Sequence, residues 1–258
     1  MKLSVVLPVY NEEESLNFFL PQLISILDKK TSIFEILIID DNSTDNTKNI
    51  VDNIGKSTKN NVKYILRNEE PSLPKSILLG IKSSEFENIM WLDADGSMSA
   101  ESVGILIDKF KQNTQHIIIG SRFVKGGGYK GVKENKNSIF SIFFTLKGSK
   151  DSILGMIASN LFNYFLNLIN NIDVKDLTSG FIILKKAYIE EEPFYKSQYG
   201  EYFIYLLKSL KNKQLTIKEV GYICLTRKYG KSKTAPNIFK LFQRGFPYIL
   251  ATISIRKK

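Results

Sequence analysis

The chain has 258 residues, 43% of them hydrophobic and 24% charged, a net charge of +10 and one cysteine, Cys224. That balance excludes a disordered polymer and allows one large domain with or without an appended segment. The lone cysteine excludes internal disulfides and fits a reducing compartment.

Leu3 to Pro8 reads as a short buried strand, with the proline at its end, where a missing N–H is tolerated. Acids follow at Glu12, Glu13 and Glu14, so this apolar run is not expected to be a secretion signal. From Glu13 to Leu27 the apolar residues Leu16, Phe19, Leu20, Leu23, Ile24 and Leu27 recur at helical spacing. Phe34 to Ile39 is a second buried strand, stopping at Asp40-Asp41-Asn42-Ser43-Thr44-Asp45. Ser43 or Thr44 is the expected N-cap of the helix running to about Ile54. Val62 to Leu66 is a third strand and Lys75 to Lys82 a helix.

Asn88 to Leu92 is the fourth strand. It runs into Asp93-Ala94-Asp95-Gly96, two carboxylates one residue apart followed by a turn. Such hard oxygen ligands suit Mg²⁺ or Mn²⁺, an ion that fills its other positions with water and substrate phosphate. Taken alone, the pair could equally end a strand and cap a helix. Ser99 is the expected N-cap of the next helix, through Phe110. Ile117 to Ile119 is a fifth strand, followed by Gly120-Ser121-Arg122. Trp91 is assigned to the core and His116 to the surface.

Strands alternating with helices at this spacing predict parallel βαβ units and a doubly wound α/β sheet. Ligands bind beyond the carboxyl ends of such strands. Asp40-Asp41, Asp93 with Asp95, and Arg122 should therefore share one edge. Neither a dinucleotide-binding glycine fingerprint nor a phosphate-cradling glycine loop follows the first strand.

Further on, Gly126-Gly127-Gly128 reads as a phosphate-facing loop or as a flexible linker. Ser159, Asn163 and Asn167 put a polar stripe on the segment Ile153 to Ile169, expected to pack on the domain rather than cross a bilayer. The charge is concentrated late. From Leu206 to Lys258 thirteen Lys and Arg face one acid, Glu219, a net +12, while residues 1–205 carry −2. Such a field points to an anionic partner, with no motif for nucleic acid. The tail from Pro236 to Ile255 has Ile238, Phe239, Phe242, Phe246, Ile249, Leu250 and Ile253 along one side. That fits a helix lying on an anionic bilayer, or one docked on the domain or on a membrane protein. Its longest apolar run, Phe246 to Ile255, has ten residues, against about 20 needed to span.

Several ordered stretches resemble family 2 glycosyltransferases with the GT-A fold. They are Val5-Val6-Leu7-Pro8-Val9-Tyr10-Asn11-Glu12-Glu13, Ile38 through Thr47, and Leu92-Asp93-Ala94-Asp95-Gly96. Gly120 through Gly128, Asp176-Leu177-Thr178-Ser179-Gly180-Phe181 and Arg227 through Lys233 resemble the polyprenol-phosphate sugar synthases, typified by dolichol-phosphate mannose synthase. The resemblance covers residues 1–235, with 236–258 a basic amphipathic extension. It implies an inverting, metal-dependent transfer of a hexose from a GDP- or UDP-linked sugar to a dolichyl or undecaprenyl phosphate; the amphipathic basic tail adds the expectation that the work is done at the cytoplasmic face of a membrane. Pro8, Tyr10 and Glu12 would line the nucleotide pocket, and Asp41 would hydrogen-bond the base. Asp93 and Asp95 would hold the metal on the diphosphate and Arg122 would face the phosphates. Arg227 and Lys233 would sit on a loop closing over the site. Two stretches depart from that pattern. Lys147 to Ser152 has lysines where an arginine is usual, and Asn135 to Leu146 is longer than expected.

A lipid phosphate is ionised at neutral pH and needs cations rather than a base, whereas a sugar hydroxyl needs a carboxylate to take its proton. Asp176 is the candidate base; its alternative is to tighten a turn with Thr178 and Ser179. The competing readings are transfer to a glycan hydroxyl, a non-catalytic nucleotide-sugar-binding module, and a nucleotidyltransferase, which would want a glycine-rich loop where this chain has Pro8-Val9-Tyr10-Asn11.

Overall fold

The computed structural model describes residues 1–57, 61–129, 161–169, 172–225 and 238–256. In chain order these give β1 (Lys2–Val9), α1 (Glu13–Lys30), β2 (Ile33–Asp40), α2 (Thr47–Ser57), β3 (Val62–Leu66), α3 (Leu73–Ser83), β4 (Asn88–Trp91), α4 (Ala100–Gln112), β5 (Ile117–Ser121) and β6 (Gly128–Tyr129). Helix α5 spans 161–169. Then come β7 (Ile182–Lys185), α6 (Glu192–Tyr195), α7 (Tyr202–Asn212), β8 (Ile217–Gly221), β9 (Ile223–Cys224) and α8 (Ile238–Arg256).

Seven strands form one sheet in the order β3-β2-β1-β4-β7-β5-β8. The strands on the β3 side of β4 pair in parallel, and their largely apolar runs fit strands with both faces covered. Leu3, Val5, Leu7, Ile36 and Ile38 pack with α1, α2 and α4 on one face. Val6, Leu37, Ile39, Ile89 and Trp91 pack with α3, α6 and α7 on the other. Trp91 is in the core, its indole N–H donating to the Tyr202 hydroxyl at 3.0 Å.

The sheet departs from a simple parallel series in one place. β7 runs antiparallel between β4 and β5, with Ile182 opposite both Trp91 and Ile119. β5 therefore still points the same way as β4, and the C-terminal ends of β1, β2, β4 and β5 share one edge, as expected. β7 enters from that edge, so the segment from Asp176 to Phe181 arrives beside the tips of β4 and β5.

Ser99 caps α4 as expected, accepting from Ser102 N–H at 3.2 Å. The start of α2 is different. Asp45 Oδ1 accepts from Thr47 N–H at 3.0 Å. Ser43 and Thr44 turn to the first loop instead, where Ser43 Oγ accepts from Asn11 N–H and Thr44 N–H donates to Asn11 Oδ1, both at 2.8 Å. Three hydroxyl or carboxylate residues in a row leave the cap ambiguous by sequence; the neighbouring loop decides it.

The segment read as a polar-striped helix is described only from 161 onward, where its inward face combines Asn163 with Leu166. Asn163 is buried, accepting from Leu177 N–H at 3.0 Å and donating to Thr178 Oγ1 at 2.8 Å. Asn167 donates to Lys175 O at 2.9 Å. The polar stripe faces inward, and Leu161, Tyr164, Phe165 and Leu168 face outward and are exposed. In the tail, α8 docks through Tyr248, Ala251, Thr252 and Ile255, with the Tyr248 ring edge-on to Phe162 at 5.6 Å. Phe246, Ile249, Leu250 and Ile253 remain exposed. No helix among the described residues is long and apolar enough to cross a membrane.

Candidate functional site at the carboxyl edge of the sheet

Beyond β1 and β2 the chain is held in two left-handed residues, Asn11 at φ 52° and Asn42 at φ 67°. Asparagine tolerates that region better than other residues with a Cβ. The two loops are then latched, Glu13 N–H to Asp45 and Asn46 N–H to Glu13, at 3.1 and 2.8 Å. An open depression of about 430 Å³ lies there, lined by Tyr10, Asn42, Thr44, Asn68, Glu69, Glu70 and Pro71. Tyr10 is thus where a nucleotide pocket was expected. Pro8 is the half-buried residue near the end of β1, and Glu12 is buried at the entry to α1, its N–H donating to Thr47 Oγ1.

Asp41 sits at the same edge but is buried. Arg67 Nε donates to its Oδ1 at 2.6 Å, and Ser72 N–H donates to its Oδ2 at 2.5 Å. Arg67 is equally buried and also reaches Glu69 Oε2 at 2.7 Å and the Glu70 carbonyl. The Asp41 carboxylate therefore braces the loop from Arg67 to Ser72, which supplies four of the seven lining residues. Nothing in the sequence pairs residues 41 and 67; the β2–β3 register does, with Asp40 opposite Leu66.

At the tip of β4, Asp93 is exposed and Asp95 buried. Gly96 takes φ 72°, and the Ser97 N–H folds back onto Asp95 Oδ1 at 2.8 Å. The turn is tied to β9 by Leu225 N–H donating to the Ser97 carbonyl at 2.8 Å. Among the described residues no three His, Cys, Asp or Glu side chains cluster to hold a metal by themselves. The donor set is thus a pair of hard carboxylates, which suits an ion completed by phosphate oxygens.

Arg122 leaves β5 on the same edge. Its Nε and Nη2 donate to the two oxygens of Asp176 at 2.8 and 2.7 Å, and its backbone N–H donates to Oδ2 at 2.9 Å. Nη2 also reaches Thr178 Oγ1 at 2.8 Å. The guanidinium lies over the Phe123 and Tyr129 rings. Burial works against its charge, but Asp176 overrides that and holds Arg122 firmly protonated. Asp176 is fully buried, and its own N–H and that of Lys175 are accepted by Glu219 at 3.0 and 2.8 Å. A carboxylate so enclosed is built to hold an arginine. Neither sequence alternative for Asp176, an acceptor base or a local turn with Thr178 and Ser179, named Arg122 as its partner; the local contact from Thr178 Oγ1 is the longer one, at 3.4 Å.

The triple glycine is a packed turn. Gly127 N–H closes on the Val124 carbonyl at 2.8 Å with Gly126 at φ 82°. A Cβ on Gly127 would come within 2.4 Å of the Ser121 carbonyl oxygen. The glycines let two backbones meet beside Arg122, which replaces the flexible-linker alternative. Tyr222 and Cys224 line the adjoining wall, unsignalled by any motif. Burial pushes the Cys224 thiol up to about 11, with Arg122 opposing and Asp95 and Asp93 adding to the shift. Arg227, Lys233 and the stretch from Asn135 to Ser152 lie outside the described residues.

A mostly parallel sheet with acids and an arginine on its carboxyl edge is the architecture of nucleotide-sugar transferases of the GT-A fold. A crystal structure of glucosyl-3-phosphoglycerate synthase from Mycobacterium tuberculosis, in complex with Mg²⁺ and uridine diphosphate, superposes with a TM-score of 0.63 at 14% identity, covering 98% of this chain and 79% of that one. The model of glycosyl transferase family 2 matches residues 4–192, and the chain belongs to that family. It is 32% identical over 191 residues to the dolichol-phosphate mannosyltransferase of Pyrococcus furiosus, covering 74% of this chain and 48% of that protein. It is 30% identical over 121 residues to the undecaprenyl-phosphate 4-deoxy-4-formamido-L-arabinose transferase of Photorhabdus laumondii, covering 47% and 37%. The chain thus spans about half or less of the length of these curated relatives.

Proposed function

We propose that this chain moves a hexose from a nucleotide-diphosphate sugar to a polyprenyl phosphate, with Mg²⁺ or Mn²⁺ held at Asp93 and Asp95. The observation that carries the reading is the convergence of the Tyr10 depression, the Asp93–Asp95 turn and the Arg122–Asp176 pair on one sheet edge. The names of the two relatives, both acting with polyprenyl phosphates, support the acceptor class.

In this reading the nucleoside lies in the depression beside Tyr10, with Pro8 and Glu12 shaping the β1 loop and Asp41 acting through Arg67. A divalent ion on the diphosphate would neutralise charge as the sugar leaves. Asp93 and Asp95 would hold that ion. Arg122, kept protonated and aimed by Asp176, supplies preorganised positive charge to the phosphates, and costs no reorganisation during the step. Arg227 and Lys233 are the further donor-binding cations of this reading. The acceptor phosphate is already an anion, so no base is required of Asp176. The outward apolar residues of α5 and α8, with the net +12 of the last segment, support seating on the cytoplasmic face of an anionic bilayer, where each basic residue contributes about 1 kcal/mol.

Labelled GDP-mannose and UDP-glucose, each incubated with undecaprenyl phosphate and Mg²⁺, test this by organic extraction. Label should enter the organic phase, and Asp95→Asn or chelation should abolish it. Label confined to water with both donors, or an Asp95→Asn protein as active as the parent, would remove the proposal.

A further inference from the structure

Helix α5 buries Asn163 beside Leu166 and leaves Leu161, Tyr164, Phe165 and Leu168 exposed. Leu161, Phe165 and Leu168 are thereby left facing water, an arrangement that apolar burial by itself does not favour. The buried hydrogen bonds of Asn163 account for it. Its two side-chain groups are both engaged, Oδ1 by Leu177 N–H and Nδ2 by Thr178 Oγ1. Thr178 Oγ1 is the same atom that accepts from Arg122 Nη2. A continuous chain of hydrogen bonds therefore runs from Asn163 on α5 to the guanidinium, through one hydroxyl.

We propose that Asn163 is a positioning residue for Arg122, acting through Thr178, so that the seating of α5 sets the pose of the guanidinium. The amide is suited to this. It donates to Thr178 Oγ1 while accepting from the backbone of the next residue before it, and so fixes both the hydroxyl and the loop that carries Asp176. The Thr178 hydroxyl, receiving two donors, keeps its own proton for Asp176 Oδ1, 3.4 Å away. Arg122 is thus held from Asp176 on one side and Thr178 on the other, and Asn163 fixes the second of these. The inference rests on the reading of Arg122 as the phosphate-facing cation.

A double-mutant cycle tests it, using the full chain with GDP-mannose or UDP-glucose and undecaprenyl phosphate. Asn163→Ala should lower kcat on the order of ten- to a hundredfold, the worth of one charge-assisted contact. In an Arg122→Lys background, which lacks the fork that reaches Thr178, the same substitution should cost less than threefold. Thr178→Val, which leaves α5 its Leu177 bond, should reproduce the Asn163→Ala loss, and Thr178→Ser should restore activity. A merely structural Asn163 would give equal losses in both backgrounds and no rescue by serine, which would overturn the inference. Arg122→Lys as active as the parent, or no transfer by the parent chain, would instead bring down the functional reading and the inference with it.

Discussion

Replacing Arg67 by methionine tests how the nucleotide side of the site is built. The change keeps much of the side-chain length and removes the charge. It leaves the Asp41 carboxylate, with a side chain 8% exposed, with only the Ser72 N–H where Arg67 Nε had stood at 2.6 Å. Both partners are buried, so water cannot take over the lost contact. Removing one member of a buried pair costs about 3–5 kcal/mol, a large part of the 5–15 kcal/mol that holds a typical domain. Urea unfolding should show that loss for Arg67→Met. Asp41→Asn combined with Arg67→Met should recover part of it, because no unpaired charge is then left behind. Nucleotide affinity, measured by titration calorimetry, should fall in the Arg67 variant, since the loop carrying Asn68, Glu69, Glu70 and Pro71 loses its anchor. A cost below 1 kcal/mol, typical of an exposed ion pair, would refute the reasoning. So would Asp41→Asn abolishing nucleotide binding while Arg67→Met left it untouched; Asp41 would then be touching the base itself.

At the opposite edge of the sheet, burial pushes the Glu35 carboxyl up, but Lys63, Ser4 and the Glu85 N–H together hold it below its ordinary value. Glu35→Gln should therefore cost about 2 kcal/mol at neutral pH. The depressed carboxyl contributes fully above its unfolded pKa, so the gap between the proteins should close as pH falls through the folded value; a gap independent of pH would refute the assignment. Cys224, with its thiol pushed up to about 11, should react with a thiol reagent at neutral pH far more slowly in the native protein than in urea, and equal rates would contradict its environment. Leu250→Glu on the outward side of α8 should reduce co-sedimentation with phosphatidylglycerol vesicles severalfold while leaving the unfolding free energy within about 0.5 kcal/mol of the parent. Unchanged vesicle binding in the variant, or none in the parent, would point to a protein partner for that face.

The layered α/β class was legible in the sequence, because the strands are short, largely apolar runs and helix after helix has a 3.6-residue repeat. The carboxyl-edge placement of Asp41, Asp93, Asp95 and Arg122 was legible too, since parallel strands must end on one side. Local geometry fixed those features, and each reads from a few neighbouring residues. What the sequence could not carry were pairings between distant segments. The antiparallel entry of β7 between β4 and β5, the burial of Asp41 against Arg67 and the closure of Arg122 on Asp176 join residues 26 to 97 positions apart, and only chain topology selects them. The stripe of asparagines on α5 shows the same limit. Its period announced an amphipathic helix, but which face turned inward depended on Leu177 and Thr178, hydrogen-bonding partners that β7 brings to that side of the molecule.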